Sequence, residues 1–190
     1  MKQETVDRIL TVGTELLIKN GYNSVGLNRI LESANIPKGS FYYFFKSKED
    51  FGLKVLDFYA RQNLDFLKTF LENKEQEPRD RIFDLLNSIQ AIYEEQDYLQ
   101  GCLLGNSSLE LAAQKESFAN QIAHGLGQWQ NLFAKTIAEG QEAGSINIEF
   151  SADQYAEFLI NSWEGALVRM KTTRSNAPME LFILFLEKLL

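Results

Sequence analysis

Val6, Ile9, Leu10, Leu16 and Leu17 recur at helical spacing with polar residues between them, and Gly13 falls on the same stripe. The pattern predicts a first helix over residues 4–19. Asn20-Gly21 stops it, because glycine can take the left-handed conformation that satisfies the last carbonyls. Leu27, Ile30, Leu31 and Ala34 mark a second, short helix, and Asn35 tolerates positive φ in the turn that follows. Pro37 suits the first turn of a brief third helix over residues 37–44, where its missing N–H costs nothing. Ser47-Lys-Glu-Asp50 is a capping pattern in which Ser47 caps and Asp50 reaches back. It opens a fourth helix running to about residue 72, with Phe51, Val55, Phe58, Tyr59, Phe66 and Phe70 along one side.

The polar stretch 73–78 breaks the chain. Helical segments follow over about 79–95, 103–113 and 116–143, the last ended by Ala143-Gly144-Ser145. Ser151 and Gln154 form a second capping pattern, opening a helix to about Thr173, and Ser175-Asn-Ala-Pro178 starts a final one to Leu190. Residues 146–150 alternate apolar and polar, but five isolated residues cannot make a sheet. The expectation is an all-α fold of about nine helices. Residues 1–48 are expected to form a three-helix unit with a helix-turn-helix, and residues 49–190 a larger helical domain.

Composition narrows the class. Apolar content of 45% with 24% charged residues is that of an ordinary globular protein. No apolar run approaches the ~20 residues that cross a bilayer. Met-Lys-Gln-Glu-Thr lacks the apolar core of a signal peptide, so a cytoplasmic protein with no membrane association is expected. A single cysteine, Cys102, excludes an internal disulfide framework, and with one histidine, His124, no Cys/His zinc site and no cofactor is expected. Gly125-Leu-Gly127 lacks the later glycine of a dinucleotide fingerprint and follows no strand.

The net charge of −7 conflicts with nucleic-acid binding until the chain is divided. Residues 1–50 hold seven Lys/Arg against six Asp/Glu, a net of +1; residues 51–190 hold twelve against twenty, a net of −8. The acidity therefore sits outside the helix-turn-helix, whose second helix is the one that enters a major groove.

Residues 35–51 read N-I-P-K-G-S-F-Y-Y-F-F-K-S-K-E-D-F. With Gly21-Tyr22, Ile30 and Ala34 upstream, this resembles the TetR family of bacterial repressors. The close match covers residues 5–51, about a quarter of the chain. Gly26 stands where the family's second helix has a Ser or Thr cap, Asn35 replaces a turn glycine, and Phe44 occupies a position often held by histidine.

The N-terminal N–H groups of the third helix, with Lys38, Gly39 and Ser40, suit phosphate and base-edge contact, and Gly39 lets the backbone come close to DNA. The resemblance implies that Tyr42 packs inward with its hydroxyl at a phosphate, while Tyr43 points to the DNA backbone. Phe41 and Phe45, four apart, anchor the helix. Lys48 sits in the first turn of the fourth helix, unfavourable for a cation unless a phosphate lies nearby. Asn28 and Arg29 begin the second helix and complete the DNA-binding set.

An effector pocket, also implied by the resemblance, is expected among Phe58, Tyr59, Phe66, Tyr93, Cys102, Trp129, Phe133, Tyr155 and Trp163. Cys102 falls at a helix N-terminus, which raises thiol reactivity, and some relatives with a similar Gly-Cys segment respond to electrophiles or oxidants. The last helix is apolar on all sides and must be covered on all sides. Phe158, Trp163, Leu167, Phe182, Phe185 and Leu186 are the expected two-fold interface.

The whole points to a regulator, not an enzyme: a homodimeric repressor released from a palindromic double-stranded DNA operator by a small apolar or reactive effector. The alternative is an all-α small-molecule-binding protein or enzyme without DNA binding; no nucleophile elbow, His-rich motif or phosphate loop supports it.

Overall fold

The computed structural model describes residues 2–190, with side chains from Gln3 onward. Among the described residues there are nine helices and no strand. In chain order they are α1 Lys2–Asn20, α2 Leu27–Ser33, α3 Lys38–Phe44, α4 Lys48–Leu71, α5 Pro78–Glu95, α6 Leu103–Leu111, α7 Glu116–Ala143, α8 Ala152–Thr173 and α9 Ala177–Leu189.

Local chemistry sets the ends. Ser151 Oγ accepts from Gln154 N–H and Gln154 Oε1 accepts from Ser151 N–H, so α8 opens on a complete capping box. At α4, Ser47 Oγ accepts from Asp50 N–H, while the Asp50 carboxylate reaches one residue beyond the box, to Lys46 N–H. Pro37 precedes α3 as its cap instead of lying within its first turn, with φ −71° and ψ 154°. Gly26 caps α2 without a side-chain bond, and Asn35 takes φ 49° in the turn between α2 and α3.

The chain forms two compact units. The first contains the residues up to Gln62 with Cys102–Gly125, the second Asn63–Gly101 with Leu126–Leu190. Packing thus groups α6 and the start of α7 with the helix-turn-helix, whereas the sequence suggested a division after residue 48.

In the first unit Ile9, Ile30, Phe41, Phe45, Phe51 and Phe118 are fully buried, each large side chain contributing about 1.5–3 kcal/mol. Gly13 lets α1 pass close to α4: a Cβ there would lie 2.5 Å from the Phe51 ring and 2.8 Å from Val55.

The second unit is organised around Phe133, Leu159, Met170, Met179 and Leu186, with the Phe133 and Trp163 rings perpendicular at 6.2 Å. Buried Arg81 finishes α4: its guanidinium donates to the Leu71 and Gln76 carbonyls and to Glu139, which also pairs with Lys74. Thr136 Oγ1 adds a bond to the same Leu71 carbonyl. These bonds satisfy carbonyls that a helix end otherwise leaves open.

Candidate nucleic-acid interface and effector region

The helix-turn-helix is held from behind. Arg8 of α1 donates to the Ala34 carbonyl at 2.6 Å, and Ile36 N–H bonds back to Leu31. Phe41 of α3 and Phe45 just past its end enter the core in a run of rings that includes Phe51, at centroid distances of 5.1–5.5 Å. A seven-residue helix with one face so anchored must present the other. Lys38, Gly39, Tyr42 and Tyr43 are exposed and Ser40 half-exposed, with nothing within 4 Å of a Cβ at Gly39. Tyr43 is 67% exposed. Tyr42 corrects the expectation: it is 51% exposed and only leans edge-on against Phe41, because Phe41 and Phe45 already fill the inner face. Asn28 and Arg29 are exposed on α2, as is Lys46 beyond α3.

Lys48 is more engaged than a solvated lysine. Its Nζ donates to the Tyr22 carbonyl at 2.8 Å and stands 4.3 Å from the centre of the Tyr22 ring. Burial holds its pKa below the usual value. Burial likewise raises the Tyr22 phenol.

The expected effector residues fall in both units. In the first, Phe58 and Cys102 are buried and Tyr59 is half-buried. Cys102 caps α6, its Sγ accepting from Gly105 N–H at 3.5 Å. In the second, Trp129, Phe133, Tyr155 and Trp163 are buried, while Phe66 and Tyr93 are half-buried. The Tyr155 hydroxyl donates to Asn147, whose side-chain amide and backbone N–H hold the last two carbonyls of the chain. Trp163 Nε1 is buried with no acceptor among the described residues. His124 is exposed, and no metal-binding cluster is found among the described residues.

The expected interface set divides. Phe158 and Phe185 are 46% and 61% exposed. Trp163, Leu167 and Leu186 instead lie in the core of the second unit, and Phe182 is largely buried. The reason is that α9 packs one of its apolar faces on α8 and leaves the other bare. Phe158, Gly165, Ala166, Leu181, Phe182 and Phe185 line an open groove of about 560 Å³ there, edged by Ser162 and Arg169.

Residues 9–53 match the family model described as bacterial regulatory proteins, tetR family, and residues 78–186 match the model for the tetracyclin repressor-like C-terminal domain. The chain belongs to the TetR family. It is 39% identical to the HTH-type transcriptional repressor DhaR of Mycobacterium sp. (strain GP1) over 90% of this chain and 84% of that one. It is 30% identical to the transcriptional regulator AcuR of Cereibacter sphaeroides over 92% of this chain and 80% of that one. A crystal structure described as the reduced form of E. coli NemR superposes with a TM-score of 0.90 at 27% identity, covering 98% of this chain and 97% of that one.

As a member of this family the protein is a ligand-responsive, DNA-binding transcriptional repressor. Its relatives are transcriptional regulators, which disfavours the enzyme and carrier readings. No helix among the described residues is long and apolar enough to cross a membrane.

Sequence reasoning passed over Arg8, Arg81 and Glu110. The first two bond mainly to backbone carbonyls, which every residue carries, so no sequence pattern marks them. Glu110 accepts from the backbone N–H groups of Tyr22 and Asn23, 88 and 87 residues away.

Proposed function

We propose that the protein acts in the cytoplasm as a homodimer. It would place two copies of α3 in successive major grooves of a near-palindromic operator, about one helical turn apart. The observation that carries this reading is the bare groove of α8 and α9, where Phe158, Leu181 and Phe185 stand exposed on helices that are otherwise packed. A second copy of the same surface covers it with closed symmetry. On the DNA side, Lys38, Gly39, Ser40 and Tyr43 supply the groove and phosphate contacts, with Tyr42 joining from its outward position. Asn28 and Arg29 brace the backbone from α2. Lys48 keeps N–H donors beyond the one given to Tyr22 and turns them to a phosphate.

Analytical ultracentrifugation, with selection of bound duplexes from random-sequence DNA, tests the reading. A dimer that enriches a palindrome and loses affinity steeply with salt is expected. A strictly monomeric particle, or salt-insensitive binding, contradicts it.

Release by an effector requires different affinity for the DNA-competent and incompetent arrangements. We assign the effector contacts to the buried aromatic positions of the second unit, Trp129, Phe133, Tyr155 and Trp163. Trp163 offers its unused indole N–H to an acceptor on a small, largely apolar molecule. A second, reactive route is favoured by Cys102, whose sulfur faces the opening N–H of α6. Replacing Cys102 with serine should abolish release from DNA by a thiol-reactive quinone; an unchanged response removes that route.

A further inference from the structure

The turn between α1 and α2 is gripped by a residue far away in the chain. Tyr22 and Asn23 donate their backbone N–H groups to Glu110 Oε2 and Oε1, at 2.9 and 2.7 Å. One carboxylate thus closes both of its oxygens on successive amides, a charge-assisted pair stronger than two neutral bonds. Gly21, at φ +75°, brings the turn close: a Cβ there would lie 3.0 Å from Glu110 Oε2.

Tyr22 is then held at its N–H, its carbonyl and its ring. Its N–H is held by α6, its carbonyl by Lys48 of α4, and its ring by Phe118 of α7, edge-on at 5.0 Å. Two further bonds run parallel, since Lys115 and Ser117 both reach Glu49 in the first turn of α4. Glu110 is only half-buried and fills no core position, so apolar burial does not explain its grip.

α3 has seven residues and cannot orient itself. Besides its Phe41 and Phe45 anchors, it is strung between α2 and α4, and this network grips the turn that leads into α2 and the start of α4. We infer that Glu110 is a positioning residue for operator binding, fixing the α1–α2 turn so that α2 and α3 present their DNA face in one arrangement. The inference rests on the DNA-binding reading and adds to it a residue on α6 that never touches DNA.

The test uses the full-length protein and a duplex it has itself selected from random-sequence DNA. Binding is measured by fluorescence anisotropy well below the thermal midpoint, with amide hydrogen exchange alongside. Glu110→Ala should weaken binding about tenfold, within the range by which one site alters another. Exchange at the Tyr22 and Asn23 amides should quicken while α8 and α9 stay protected and the melting midpoint barely moves. Glu110→Gln, the same shape with one acceptor kept, should recover part of the affinity, and it stands in if the alanine variant does not fold.

Affinity within twofold of wild type in the folded variant overturns the inference, as does unchanged exchange at the two amides. An affinity loss that only follows a lowered melting midpoint assigns Glu110 a purely structural role and overturns it too. Failure of the wild-type protein to bind any duplex would instead sink the regulator reading itself.

Discussion

α3 turns Tyr42 and Tyr43 outward beside Lys38, whereas the α8–α9 pair turns out Phe158, Leu181, Leu184 and Phe185, whose side chains carry no polar atom. Both surfaces expose aromatic area that a folding chain would ordinarily bury. They differ in what can cover them. Hydroxyls and ammonium groups keep their hydrogen bonds in water and exchange them for phosphate oxygens. Phenylalanine and leucine gain only by meeting another apolar surface. Exposure by itself therefore does not separate a nucleic-acid face from a protein face; the polar handle on the ring does.

The sharpest way to break this contrast is to place a charge on the apolar surface. Phe185→Glu should leave the protein monomeric in sedimentation and cost about 10²–10⁴-fold in operator affinity relative to the proposed dimer, because a second half-site is no longer tethered. A dimeric Phe185→Glu that still binds would remove the α8–α9 groove from the interface.

Gly13→Ala comes next. It drives a methyl into the Phe51 ring and Val55, and overpacking of this kind costs about 1–3 kcal/mol. Calorimetry should show loss in the unit that carries α3 and little in the unit that carries α9. Tyr43→Ala is narrower. Losing one charge-assisted bond to phosphate, about 1.5–3 kcal/mol at most, should weaken operator binding about tenfold with the dimer intact; wild-type affinity would take Tyr43 out of the DNA face.

The smallest effect concerns pH. The hydrogen bond from Lys74, followed by that from Arg81, holds the Glu139 carboxyl below its usual 4.5. A depressed folded-state pKa adds stability that is fully present above the usual value and is lost as pH falls through the lowered one. Glu139→Gln should therefore lower the melting midpoint near neutrality and flatten its decline on acidification below pH 4.5. Parallel acid profiles for the two proteins would contradict this.

Much of the fold was legible because its signals are local. Ser151 with Gln154, Ser47 with Asp50, the Asn35 turn and the Phe41/Phe45 pair each act within four residues, and the structure bears them out, save that Asp50 reaches back to Lys46 and not to the cap itself. Tyr42 was misread because the inner face of so short a helix holds two rings and no third. Trp163, Leu167 and Leu186 were misplaced for a related reason. Periodicity shows that a helix has two apolar faces, but only the packing of α8 against α9 decides which of them stays inside. Lys48 and Glu110 were illegible in their real engagements, since their partners are backbone groups of a turn 26 and 87–88 residues away along the chain.

The α3 reading helix has two turns and no cap from a side chain. Peeled from Phe45 and Phe51 it has no reason to stay coiled. Its order is borrowed from the core beneath it, and so is the gene's silence. Warming the cell should lift repression at the temperature where that small core loosens, even while α8 and α9 stay packed.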